Sequence, residues 1–209
     1  MKTISRIWLR ARRSLNNLTR DNSGIAATEF AVIVPIMLVL FFGTVEFSSG
    51  IAVDRKVTLV ARTLSDLTSQ STSVANSDVT NFFTASCKIL TPYAPAPTQA
   101  TVSELFVDPS TLQVRVQWSK SATVDSSCNV TLGTGRAVSS PVSIPAALKV
   151  ANTYLIFSEV SYQYVPTIGY VMAKTGVNLS DVSYTRPRQS NCVIYPTPSS
   201  GSLPACPAL

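Results

Sequence analysis

Between Glu29 and Glu46 the chain runs sixteen residues without a charge, F-A-V-I-V-P-I-M-L-V-L-F-F-G-T-V. A helix from Ile25 to Phe47 would be about 35 Å long at ~1.5 Å per residue. That crosses a hydrocarbon core of ~30 Å with some tilt. The segment before the run is short and basic. The segment after it reads as one domain. The run therefore fixes compartment and orientation before any fold is considered.

Residues 1–24 carry Lys2, Arg6, Arg10, Arg12, Arg13 and Arg20 against the single acid Asp21. The whole chain is +6, so nearly all of its excess charge sits there. A basic flank before an apolar helix is held in the cytoplasm, which sends the C-terminal part outside. The remainder is close to neutral, whereas a nucleic-acid-binding domain would show a basic face. No nucleic-acid partner is expected.

The apolar run has three readings. A secretory signal peptide has an apolar core of ~7–15 residues and a small-residue cleavage site. Ser48-Ser49-Gly50 could serve as one, but the run is longer than such a core and the leader is long. An uncleaved membrane anchor is the second reading. The third is an anchor that is processed at its cytoplasmic end.

The third reading rests on a resemblance. G-I-A-A-T-E-F followed by an apolar run resembles a type IV prepilin-type processing site. More narrowly, D-N-S-G-I-A-A-T-E-F-A-V-I-V-P-I-M-L-V-L-F-F-G-T-V-E-F, Asp21 to Phe47, resembles the TadE-like family of tight-adherence (Tad) pilus proteins. The resemblance implies that Gly24 is the last leader residue and Ile25 the first mature one. Glu29 is then the fifth mature residue, followed by Phe30. It also implies a membrane prepilin peptidase acting on the cytoplasmic face, and other pilus or pseudopilin subunits as partners.

Glu29 has a chemistry of its own. A carboxylate near the end of an apolar helix is costly unless paired, exposed or neutralised. A cut after Gly24 creates an α-amino group on Ile25, one turn away, able to pair with Glu29 of the same or a neighbouring chain. Without the cut, Glu29 snorkels to the headgroups. Pro35 leaves the Ala31 carbonyl without its helical partner and should bend the helix. Gly43 is a small residue that lets another helix approach.

Beyond Gly50 the helix continues. Val53, Val57, Val60, Leu64 and Leu67 recur at steps of four and three. Such a stripe packs either on its own domain or against a neighbouring subunit. Ser69–Asn76 is polar and reads as a loop. Ser77 is placed to cap a second helix with Asp78 in its first turn. Val79, Phe82, Phe83 and Leu90 form its apolar face, and Pro92 stops it. Pro92, Pro95 and Pro97 make a stiff connector.

The character then changes to strand. Thr101–Val107 and Leu112–Ser119 flank the turn sequence Asp108-Pro109-Ser110-Thr111. Leu112, Val114, Val116 and Trp118 alternate with polar residues, predicting one half-buried face. Residues 120–143 read as loop, with room for a short strand, and a helical turn is expected within Ser143–Val150. Tyr154–Val165 is the longest strand, with Tyr154, Ile156, Ser158, Val160, Tyr162 and Tyr164 on one face. A last strand covers Leu179–Thr185. Tyr154–Tyr164 resembles the central strand of the TadE-like family, and Arg186-Pro187-Arg188 resembles an R-P-R found near the end of its members.

Cys87, Cys128, Cys192 and Cys206 all come after the apolar run, which fits the oxidising side of a membrane. Four cysteines allow three pairings. Cys192 and Cys206 bracket a Pro/Ser-rich tail, so they are paired here, leaving Cys87 with Cys128. A loop of that size contributes about 3 kcal/mol in the chain-entropy model. With no C-x-x-C and no histidine, no metal site is expected.

The absence of histidine also removes every Ser/His/Asp and Cys/His triad. Neither G-x-x-x-x-G-K-[ST] nor G-x-G-x-x-G occurs. No cofactor, small-molecule substrate or enzymatic activity is expected. The expected fold is α+β: a long, transmembrane, pilin-like N-terminal helix followed by an extracytoplasmic antiparallel-sheet domain. Residues 1–24 form the basic cytoplasmic leader, 25–50 the transmembrane helix and 51–209 the outer domain, a normal size for one domain. That domain should hold helices near 51–68 and 77–91, strands within 100–185 and a disulfide-tied tail over 190–209. The functional expectation is a minor pilin or pseudopilin-like component of a Tad-type system. It would sit in the inner membrane in a single pass, its C-terminal domain periplasmic or extracellular. The competing expectations are an uncleaved envelope protein whose outer domain binds a partner and, more remotely, an anchored enzyme.

Overall fold

The computed structural model of the chain describes residues 23–94, 98–166, 175–196 and 206. The basic leader up to Asn22, the connector prolines Pro95 and Pro97 and tail positions 197–205 lie outside the described residues. The arrangement is α+β, a long apolar helix followed by a shorter helix and a five-stranded antiparallel sheet. Helix α1 runs Ser23–Ser69 and contains Pro35. The chain divides into two units, Met1–Val45 and Glu46–Leu209.

In the second unit α1 is followed by α2 (Asn76–Ile89) and strands β1 (Thr98–Val107), β2 (Val114–Val124), β3 (Val130–Thr134), β4 (Thr153–Tyr164) and β5 (Val177–Thr185). The strand order is β3-β2-β1-β4-β5, and each neighbouring pair is antiparallel. Both helices pack on one face of the sheet. Val53, Val57, Val60 and Leu64 of α1 are buried there with Val79 and Phe83 of α2, against Ala100, Val102, Ala122, Ile156 and Val160. The stripe read from the sequence thus packs on its own domain, and only Leu67 at its end is half-buried. Ser158, the one polar residue on the inward face of β4, donates to the Ala61 carbonyl at 2.5 Å. A small side chain there lets the helix lie close to the strand while its hydroxyl stays satisfied.

Several local expectations are corrected. Helix α2 is capped at Ala75, not Ser77. The Ala75 carbonyl already accepts the Val79 N–H, and the Asp78 carboxylate reaches back to accept the Ala75 N–H at 2.8 Å. That is the acidic half of a capping box, and it needs no hydroxyl at the cap. At the other end Lys56 donates from Nζ to the Ile89 and Thr91 carbonyls at 2.7 and 2.6 Å. A cation there satisfies orphan carbonyls and complements the helix dipole.

Leu112 belongs to the turn and not to β2. The Asp108 carboxylate accepts the Ser110 and Thr111 N–H groups at 2.7 and 2.9 Å, and Leu112 N–H donates to the Asp108 carbonyl. This turn brings Leu112 to a φ of 54°, the left-handed region, rarely occupied by a γ-branched residue. The alternating face of β2 is divided as well. Glu104 opposes Trp118 but Leu105 opposes Val116, so Gln117 is an extra residue in a bulge. A bulge of one residue shifts every side chain beyond it to the other face. Val114 and Val116 pack on the back of the sheet with Leu105, Val107, Leu155 and Phe157, whereas Trp118 joins the helix-side core. Residues expected as loop extend β2 to Val124 and form β3. β1 begins at Thr98, before the expected 101, because Thr98 and Gln99 already pair on both sides. The helical turn expected within Ser143–Val150 is a 3-10 turn at Ala146–Leu148, and Ile144 and Leu148 near it cover the apolar half of the back face.

The C-terminal segment crosses back over the ends of the helices. Val74 N–H donates to the Ile194 carbonyl, Ile194 N–H donates to the Thr72 carbonyl, and Arg188 N–H donates to the Ser69 carbonyl at 2.9 Å. Cys87 is bonded to Cys128 and Cys192 to Cys206.

Candidate functional site

The first candidate is the apolar half of α1. Gly24 is the second residue of the helix and is exposed; a β-carbon built on it would meet nothing within 4 Å. Ile25 is 53 % exposed and Phe30 69 %. Glu29 lies four residues after Ile25, so the two share a helix face. The Thr28 hydroxyl donates to the Ile25 carbonyl at 2.8 Å. From Val32 to Phe42 the large apolar side chains other than half-buried Val34 are exposed, on every side of the helix. A helix that is apolar all round has no polar face to give to water and belongs in an apolar surrounding. By length and composition α1 contains a segment able to cross a membrane. Its first turn also carries N–H groups with no intrahelical partner.

The structure brings the R-P-R motif to the end of α1. The Arg188 guanidinium pairs with Asp66, whose other oxygen accepts from Gln70 Nε2. The backbone N–H of Arg188 takes the Ser69 carbonyl at the helix end. Arg186 is exposed. The motif therefore fastens the C-terminal segment to the spine helix.

One residue that no motif in the sequence singles out is at the centre of the outer unit. Glu104 is 1 % exposed. One carboxylate oxygen accepts the Val193 N–H at 2.5 Å and the other accepts Trp118 Nε1–H at 3.1 Å. Trp118 Nε1–H also donates to the Val193 carbonyl at 2.7 Å. Burial pushes the carboxyl up to about 8, against the lowering effect of both hydrogen bonds. Near neutral pH it is mostly a neutral acid that ties β1, β2 and the C-terminal segment together. The signal was in the alternation of β1, where Ala100, Val102 and Phe106 point inward and Glu104 occupies the position between. The bulge at Gln117 is what turns Trp118 to meet it.

On the open half of the back face, Arg136 makes a two-pronged pair with Glu159, Nε to Oε2 at 2.8 Å and Nη2 to Oε1 at 2.6 Å. The guanidinium and carboxylate satisfy one another. Among the described residues no group of three or more His, Cys, Asp or Glu could hold a metal ion.

The described residues thus define a class in which an apolar helix leads into a disulfide-bonded α+β unit. Residues 24–65 match the family model described as TadE-like protein. The match covers the apolar run and most of the outer half of α1, the stretch that carries the resemblance in the sequence. No curated protein matches the chain, and no solved structure matches it.

Proposed function

We propose that this protein is a minor pilin or pseudopilin-like component of a Tad-type pilus assembly or secretion system, acting by helix packing and not by catalysis. The observation that carries the reading is the helix over residues 24–45, apolar on all sides and matched to the TadE-like family. In this reading the leader stays in the cytoplasm, the helix spans the inner membrane once and the outer unit faces the periplasm or the cell exterior. A prepilin peptidase cuts between Gly24 and Ile25. The scissile bond lies in the first helical turn, so opening it breaks few hydrogen bonds. The new Ile25 amine pairs with Glu29 of its own or a neighbouring subunit, which sets the register of packed helices. Pro35 and Gly43 shape the surface offered to those neighbours. Both disulfides lie in the unit assigned to the oxidising side.

N-terminal sequencing of the membrane-extracted protein from cells that hold the pilus system tests this. Ile25 at the N-terminus is the expected result. Met1 would overturn processing and favour an uncleaved anchor whose outer unit is a binding module.

A further inference from the structure

Just beyond the apolar run, the outer unit exposes large apolar side chains from two separate parts of the chain. Phe47 is 64 % exposed and Ile51 41 %; both lie on α1. Val165 after β4 is 56 % exposed, and Val177 at the start of β5 is 38 %. Phe47, Ile51, Tyr164, Val177 and Leu179 line one groove of ≈ 200 Å³, with the Asp54 carboxylate on the side farther along α1 from the apolar run. Tyr164 and Val177 are paired across β4 and β5, which fixes the groove to the end of the sheet where that hairpin closes. The opposite end of the sheet carries the Asp108–Gln113 turn, since Val107 pairs with Thr153 and Thr98 with Tyr162. There Leu112 and Val150 are exposed, 43 % and 42 %, both on loops outside the strands. Adjoining exposed apolar side chains that line one groove mark an interaction surface, whereas scattered ones on loops do not.

We propose that this end of the outer unit rests on the lipid surface, with Phe47, Ile51, Val165 and Val177 seated at the boundary of headgroups and acyl chains. The inference rests on the membrane-spanning reading of α1. Lipid is the occupant because of continuity: Phe47 comes two residues after the uncharged run ends at Val45. A segment of residues 25–47 already fills a ~30 Å core, so Phe47 and then Ile51 fall at the interface. Any strand end carried beside them enters the same layer. Apolar area at that depth adds binding without spanning, as in interfacial segments. The contact would hold the outer unit against the bilayer until assembly lifts it.

The test uses the full chain in vesicles of phosphatidylethanolamine and phosphatidylglycerol, with and without lipids brominated on the acyl chain near the headgroup. Val177→Trp and Ile51→Trp each place an emitter on the surface, Leu112→Trp places one at the far end, and Leu38→Trp places one within the span. The parent chain, with Trp8 and Trp118, supplies the background. The expected result is loss of most of the added emission for Val177→Trp and Ile51→Trp, and none for Leu112→Trp. Two surface variants guard against one that fails to fold. If Leu38→Trp is quenched by lipids brominated deep in the chain while both surface variants behave like Leu112→Trp, the span stands and the proposal falls. If Leu38→Trp also escapes, the span reading falls with it. If the surface emission depends on the protein-to-lipid ratio and ignores bromination, a second copy covers the groove and the proposal is overturned.

Discussion

Residues 23–45 and 46–69 belong to the same helix, yet they avoid water in different ways. In the first stretch apolar residues occupy every side, and all but Val34 and Gly43 of residues 31–45 are exposed. In the second the buried apolar residues keep to one stripe, Val53, Val57, Val60 and Leu64, none more than 2 % exposed, while Asp54, Arg55, Leu59 and Arg62 are exposed and Phe47 and Ile51 are exposed next to the apolar run. Both stretches suit a helix, so helical propensity does not distinguish them. What differs is the solvent each is written for: a surrounding that is apolar on all sides, or a sheet on one side and water on the other. The two glutamates of the helix differ as well. Glu29 is exposed in the first unit, and Glu46 is buried in the second.

The comparison breaks most sharply at Glu29. If the apolar stretch functions by packing against other subunits, Glu29→Ala strands the Ile25 amine in low dielectric. Losing one member of a buried pair costs about 3–5 kcal/mol. The expected outcome is membrane insertion at wild-type levels with loss of crosslinking to, or co-purification with, other pilus components. Equal recovery of partners would place no assembly role on this residue.

A matched pair of truncations sharpens the contrast between the stretches. Leu64→Ala removes a fully buried side chain from the outer core and should destabilise that unit by about 2–5 kcal/mol. Leu38→Ala, from the exposed apolar stretch, should leave unfolding of the outer unit unchanged. Denaturant-induced unfolding in detergent, monitored by Trp118 fluorescence with the disulfides intact, measures both. A similar loss in both variants would mean that the two units unfold as one.

The outer unit holds its own buried acid, and its pH dependence sets it apart from the exposed acids. The folded pKa of Glu104 is raised from 4.5 to about 8, so the native state binds the proton more tightly than the unfolded chain. Its contribution to stability is full below about pH 4.5 and is lost as pH rises through 8. Glu104→Gln, which cannot ionise, should flatten that fall. The gap between variant and wild type above pH 8 should be on the order of a few kcal/mol. Identical slopes in both proteins would show that the carboxyl is ionised and paired across the whole range.

These elements differ in how far the sequence disclosed them. The apolar run, the α1 stripe and the inward face of β4 were legible because each is a periodic pattern set by one element's own geometry. Gln117 and Leu112 were not, because a bulge and a left-handed turn residue are chosen by pairing between strands and by the Asp108 carboxylate. Ser77 has the residue type of a cap, but Asp78 and Ala75 set the start of α2 through backbone bonds that any residue can make. Glu104 required both the inward register of β1 and the return of Val193, which lies 89 positions away. Arg188 was visible as part of a motif, but its partner on α1 was not, since nothing in R-P-R encodes Asp66.

That last contact should be the weakest of the set. Arg188 and Asp66 form a charge pair whose side chains are 57 % and 40 % exposed. Water competes for both groups and salt screens them, so an exposed pair contributes about 0.2–1 kcal/mol. Arg188→Ala should therefore lower the stability of the outer unit by less than about 1 kcal/mol. The backbone N–H to Ser69 survives the substitution, and that bond caps the end of α1 whatever the side chain. The small loss should shrink further in high salt, while the effect of Leu64→Ala should persist there. Arg188→Lys should retain part of the pairing, because Lys keeps the charge but not the planar fork. A loss several times larger in Arg188→Ala, insensitive to salt, would show that the guanidinium stabilises the C-terminal segment by packing along it and not by its charge.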